Sequence, residues 1–124
     1  MKVTGVQLGR VAPPHSGHEM IMREMLARHG KDSLVMVGSS NVFNARTPFT
    51  FEQRRSLIRK IFPDIQIIGL PDIDRSRLLH SESTIPLWLE QIKAIQDGMN
   101  ARFKFYGGSE EDLRFFQAPS IQRF

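Results

Sequence analysis

At 124 residues, with a hydrophobic fraction of 40% and a charged fraction of 24%, the chain reads as one domain (residues 1–124) with a single buried core, and disorder is excluded. It has no cysteine, which removes disulfides and thiolate metal sites. It also has neither a long apolar run nor a secretory leader, so a cytoplasmic protein without membrane association is expected. Seventeen Lys and Arg against 13 Asp and Glu give a net charge of +4, a mild pull toward anionic partners that does not separate nucleic acid from small phosphates.

Val3 to Leu8 has strand character and ends at Gly9. From about Gly17 to His29 the pattern turns helical, with Ile21, Met22, Met25 and Leu26 on one face and Gly30 as the stop. Leu34 to Val37 is a short continuous apolar run, the pattern of a strand covered on both faces. Thr50 and Gln53 fit a capping box, opening a helix whose Leu57, Ile58, Ile61 and Phe62 should face the core before Pro63 closes it. Ile65 to Leu70 is a third strand, followed by a polar loop from Pro71 to Ser83. Ile85, Trp88, Leu89, Ile92 and Ile95 recur at helical spacing up to a stop at Gly98. Arg102 to Tyr106 is a fourth strand ending at Gly107-Gly108, after which Ser109 caps a short acidic turn. This alternation predicts an α/β, Rossmann-like fold, with a parallel sheet of about four to five strands and helices on both faces. Ligands of such sheets bind outside the carboxyl ends of the strands.

The loop after the first strand therefore carries weight. It reads "GRVAPPHSGH", with Gly9, Arg10, two prolines, and His15 and His18 around Ser16-Gly17 at a helix start. Neither a G-x-x-x-x-G-K-[ST] loop nor a G-x-G-x-x-G turn is present. Gly17 lets an anion approach the backbone, the first helical N–H groups and the helix dipole favour negative charge, and Arg10 adds a forked cation. Lone loop histidines are commonly plain surface residues. The conjunction of strand end, glycine, two histidines and helix start is what sets these two apart, and His29 and His80 are read as ordinary surface residues. Arg54 and Arg55 read either as a solvated face or as ligand contacts, Pro48-Phe49 as a helix-entry staple, and Trp88 as core packing. Arg46, in a loop beyond a strand, is a candidate for an incoming phosphate.

Residues Gly9, Arg10, Pro13, His15, Gly17 and His18 resemble the G-R-F-x-P-x-H-x-G-H signature of the HxGH nucleotidyltransferases, with Val11 replacing the phenylalanine. The stretch "GSSNVFNARTPFTFEQRRSLI" resembles the S-x-N-x-x-R-T-x-x-N-P-F-[ST]-x-x-E-R-R block of nicotinamide-mononucleotide adenylyltransferases, archaeal or fused to a Nudix hydrolase. Ser39, Asn41, Arg46, Pro48, Phe49, Thr50 and Arg54 or Arg55 carry that match, at a shorter spacing between the arginine and Pro-Phe than in some relatives.

The resemblance implies transfer of AMP from ATP to nicotinamide or nicotinate mononucleotide, giving a dinucleotide and pyrophosphate, with Mg²⁺ accompanying ATP. It implies catalytic roles for His15, His18 and Arg10, with Gly9, Gly17, Gly107 and Gly108 bordering ATP. It further implies that Ser39, Asn41, Arg46 and Trp88 hold the mononucleotide, Trp88 by stacking on the nicotinamide ring. The family's next element, I-S-[GA]-T-x-[IV]-R, is missing before the chain ends in "APSIQRF", so a truncated or catalytically impaired domain is expected. Alternatives are another adenylyl- or cytidylyltransferase, a non-catalytic nucleotide-binding domain, or a nucleic-acid binder using Arg54 to Lys60, the last disfavoured by the lack of interleaved aromatics. Homo-oligomerisation is left open.

Overall fold

The computed structural model describes residues 2–45, 47–72, 85–107 and 122–123, giving the backbone alone for 85–88 and 122–123. Strand β1 (Lys2–Gly9), helix α1 (Ser16–His29), β2 (Ser33–Gly38), α2 (Phe51–Ile61), β3 (Gln66–Leu70), α3 (Ile85–Gly98), β4 (Ala101–Phe105) and β5 (Gln122–Arg123) follow one another along the chain. The strands form one five-stranded sheet in the order β3-β2-β1-β4-β5, with every ladder parallel. The expected α/β architecture is therefore present.

The core lies in two layers, one on each face of the sheet. Val6, Leu34, Met36, Leu70, Phe103 and Phe105 pack on Ile92 of α3, with Leu89 and Ile95 at the margin. Val35, Val37, Ile65 and Tyr106 pack on Met22 and Met25 of α1 and Ile58 of α2. Strand β2 is buried along its whole length, which explains its unbroken apolar run.

Gly30 ends α1 at φ 56°, its N–H donating to the Leu26 carbonyl, and Thr50 and Gln53 form the capping box that opens α2. Two boundaries differ from expectation. Gly98 still lies within α3, and the left-handed residue after that helix is Asn100 (φ 50°), whose side chain tolerates this region better than most. On α2, Ile58 and Phe62 are buried, whereas Leu57 is half-buried beside Phe49 at a surface hollow and Ile61 is 38% exposed. The position that deepens the α2 face is instead Arg54, which has no solvent exposure. Residues 73–83 of the third loop and the acidic cap at Ser109 lie outside the described residues.

Candidate anion site at the sheet crossover

The strand order reverses between β1 and β4, so the chain leaves these neighbouring strands in opposite directions and opens a crevice at their carboxyl ends. Val6 is paired with Phe105, and the Tyr106 N–H donates to the Val6 carbonyl at 2.8 Å, which sets Gly9 and Gly107 at the two exits. Gly107 has φ 71°, and a Cβ there would run into Ile21 of α1. That exit needs glycine on both counts. Gly108 lies outside the described residues.

Helix α1 begins at the first exit, and histidines cap it. His15 is the N-cap residue in extended backbone, and its Nδ1 accepts from the Gly17 N–H at 3.1 Å. His18 Nδ1 in turn accepts from the His15 N–H at 3.1 Å. This is the reciprocal geometry of a capping box, built from imidazoles in place of Ser and Glu. A Cβ on Gly17 would lie 3.0 Å from His15 Cε1, so the small residue lets the ring fold over the first turn.

The two rings stack with centroids 3.7 Å apart and planes inclined by 28°. With each Nδ1 accepting, the neutral rings carry their protons on Nε2, an assignment made from the hydrogen-bond pattern. Two Nε2–H donors result, one on each stacked ring. The one on His18 lies 4.0 Å from where a Gly9 Cβ would be, against the end of β1. Burial, and secondarily the neighbouring His15, holds the His18 ring below its ordinary value of 6.5, so near pH 7 it is a neutral donor rather than a cation.

The loop after β2 holds Ser39 and Asn41, but their side chains are engaged. Ser39, 4% exposed, donates from Oγ to Asp72 Oδ1 at 2.8 Å. Asn41 Oδ1 accepts from the Asp72 N–H at 2.8 Å and its Nδ2 donates to the Asp72 carbonyl at 3.4 Å. Asp72, just beyond β3, was not among the expected site residues; an acid directly after a strand's carboxyl end is the signal that marked it.

Arg54 is neither a solvated residue nor an exposed ligand contact. Its guanidinium donates to the carbonyls of Arg10 (3.0 Å), Gly38 (2.8 Å) and Ser39 (2.9 Å), and its Nε to that of Thr50 (3.3 Å). The Arg10 residue itself is exposed, while Arg55 faces Glu52 on the surface at 3.4 Å. Arg46, the Trp88 side chain and His80 lie outside the described residues.

His29 is also not an ordinary surface residue. Half-buried at the end of α1, it shares a 2.6 Å hydrogen bond between its Nε2 and the Tyr106 hydroxyl and meets that ring edge-on. Burial first, then Lys104 and Arg28, lower its affinity for a proton below the ordinary 6.5, against smaller raising effects from Asp32 and the Val3 carbonyl. For His18 and His29 alike the fold disfavours the proton, so below 6.5 the unfolded chain binds more protons than the native one. Their contribution to stability is complete above that value and declines as pH falls toward the lowered native values. The urea midpoint should therefore drop between pH 7.5 and 5.5, and His29→Gln should flatten that dependence. An equal dependence in the variant would remove His29 from the account.

No group of three or more His, Asp or Glu among the described residues could hold a metal ion, and no helix there is long and apolar enough to cross a membrane.

No family model and no curated protein matches the chain. Solved structures do. A NadR protein in complex with NAD and AMP-PNP superposes with a TM-score of 0.70 at 21% identity, over 100% of this chain and 37% of that one. A NadR protein in complex with NR gives 0.68 at 20% identity, over 99% of this chain and 36% of that one. The fold is that of the NadR structures. The chain spans little more than a third of the length of these NadR proteins, and what they share with it at this identity is the α/β framework.

Proposed function

We propose that this chain is a nicotinamide-nucleotide adenylyltransferase domain, which transfers AMP from ATP to nicotinamide or nicotinate mononucleotide and releases pyrophosphate. The observation that carries the reading is the pair of stacked, capped histidines at the crossover crevice, with the His18 Nε2–H beside Gly9 at the start of α1. The NadR structures that share the fold are complexes with NAD and AMP-PNP and with NR, which supports a nucleotide ligand.

In the proposed reaction a phosphate oxygen of the mononucleotide forms a bond to the α-phosphorus of ATP. The bond from that phosphorus to the bridging oxygen breaks, and its electron pair leaves with pyrophosphate. The nucleophile is already anionic, so no general base is required, and rate must come from positioning and charge stabilisation. His18 and His15 donate to the phosphate oxygens, Arg10 meets the outer phosphates, Gly9 and Gly17 border them, and Gly107 and Gly108 border the adenine and ribose. Mg²⁺ enters with the ATP it binds, and no step relies on protein ligands to it. Arg46 and Trp88 are assigned to the mononucleotide. Ser39 and Asn41 serve it by holding Asp72 and the loop after β3, as their side-chain bonds suggest.

The test is incubation with ATP, Mg²⁺ and each mononucleotide, followed by assay of the dinucleotide and pyrophosphate. Both products in equal amounts are expected. Binding of both substrates without products would replace the enzyme by a nucleotide-binding domain, and no binding would overturn the reading.

A further inference from the structure

Among the described residues Arg54 is the only charged one that is buried, and none of its hydrogen bonds goes to a carboxylate. Its partners are backbone carbonyls from three separate places: the exit of β1 (Arg10), the end of β2 (Gly38 and Ser39) and the cap of α2 (Thr50). The planar fork of a guanidinium suits this task, because its donors point in fixed divergent directions.

A second, independent observation concerns the backbone at those places. Among the described residues three non-glycine positions adopt left-handed φ, and two of them, Val11 (49°) and Ser39 (51°), adjoin carbonyls that Arg54 holds. A β-branched residue is a poor occupant of that region, and such conformations persist only where surrounding contacts over-determine them. Val11 is also buried to 1% exposure in the α1–α2 layer, so the turn is pinned from both sides. The hold extends further: Ser39 passes it through its hydroxyl to Asp72, and Asn41 fastens the Asp72 backbone. Arg10 itself bears a cation on the residue whose carbonyl is gripped.

We infer that Arg54 is a positioning residue, a buried clamp that fixes the exits of β1, β2 and β3 relative to one another and thereby sets where Arg10 stands for an anionic ligand. It touches no ligand. It acts through the backbone of the residues that line the crevice. The ligand half of this inference rests on the proposed nucleotide site; the clamp itself does not.

Arg54→Lys keeps the charge and the length but not the fork, and it tests both halves. In the free protein, amide hydrogen exchange should rise by about tenfold or more at Ser40, whose N–H donates to Leu70, and at Val42, whose N–H donates to Ser39, while Val35 and Phe103 in the sheet stay unchanged. Exchange that rises uniformly, or at neither loop amide, would overturn the clamp.

The second measurement is a double-mutant cycle on AMP-PNP affinity with Arg10→Ala. Arg54→Lys alone should weaken binding by about tenfold, yet by less than twofold in the Arg10→Ala background, because the arginine being positioned is already gone. Equal weakening in both backgrounds would overturn the positioning role. A wild-type protein that binds no AMP-PNP would count against the nucleotide reading, while the exchange experiment would still decide the clamp.

Discussion

Replacing His18 by asparagine is expected to remove most turnover and leave folding almost intact, whereas glutamine should leave folding intact and retain part of the turnover. The two imidazole nitrogens do different work, and these amides imitate them one at a time. Asparagine places its Oδ1 near the position of Nδ1, where it can accept the His15 N–H that now bonds His18 at 3.1 Å. It has nothing where Nε2–H stood beside Gly9. Glutamine can make the cap, as Gln53 does at the same position of α2, or swing its amide N–H toward that outer position, but not both at once. Loss of one preorganised donor to a developing phosphate charge costs about 10²–10³ in turnover, and loss of a cap costs about 1 kcal/mol of stability. His18→Ala should show both losses. Steady-state formation of the dinucleotide, read beside urea midpoints, checks the set. An asparagine variant with full turnover would leave His18 as a helix cap and nothing more, and the proposed phosphate contact would fall with it.

That division of labour shows where the sequence was legible. Apolar runs of strand length, separated by helical spacing, sufficed for the α/β alternation, because β2 is covered on both faces and α1 buries one stripe. The turn chemistry at Gly30 and at Thr50 with Gln53 is local, and local signals survive folding. The histidines were legible as a cluster but not as a cap, since imidazole is absent from the usual Ser, Thr, Asp and Asn signature. His29 was misread for a different reason. Its partner Tyr106 lies 77 residues away, and no pattern on α1 itself announces the contact.

Ser39 and Asn41 show a related limit. Their residue types suit a ligand, and the same types suit a loop latch. Only the placement of Asp72, fixed by the β2–β3 ladder, shows that the latch has claimed both side chains. Arg54 is the extreme case, because helical periodicity assigns a charged residue to the outer face by default. Its carbonyl partners lie 44, 16 and 15 residues earlier in the chain, so the burial is a property of the assembled loops.

Arg54→Met is accordingly expected to destabilise the fold markedly. Two effects oppose each other. Methionine fills a similar length of space and relieves the cost of burying a cation, a cost that is substantial enough for some buried charges to be replaced by apolar residues without loss. Against this stand the carbonyls left behind. Those of Ser39 and Thr50 keep backbone donors, from Val42 and from Arg54's own N–H. The Arg10 carbonyl lies beyond the β1 ladder and has no donor but the guanidinium among the described residues. The bond to it is part-buried, so water offsets some of the cost of an unpaired buried carbonyl, about 1–3 kcal/mol, but bonds to a charged donor are the stronger ones to lose.

The left-handed turns at Val11 and Ser39 offset part of the loss, since each stores about 1–3 kcal/mol that only neighbouring contacts sustain. Relaxation of those turns would recover part of the strain but break the burial of Val11. The unpaired Arg10 carbonyl, the lost charge-assisted bonds and the broken burial of Val11 outweigh the relieved desolvation and strain, giving a net loss of about 2 kcal/mol and a fall in Tm on the order of 10 °C for a domain of this size. Urea unfolding should show a lower midpoint with an unchanged slope, because the surface exposed on unfolding stays the same. A variant that melts within a degree or two of the wild type would mean that apolar packing alone holds the loops together, and that the buried cation is dispensable to the fold.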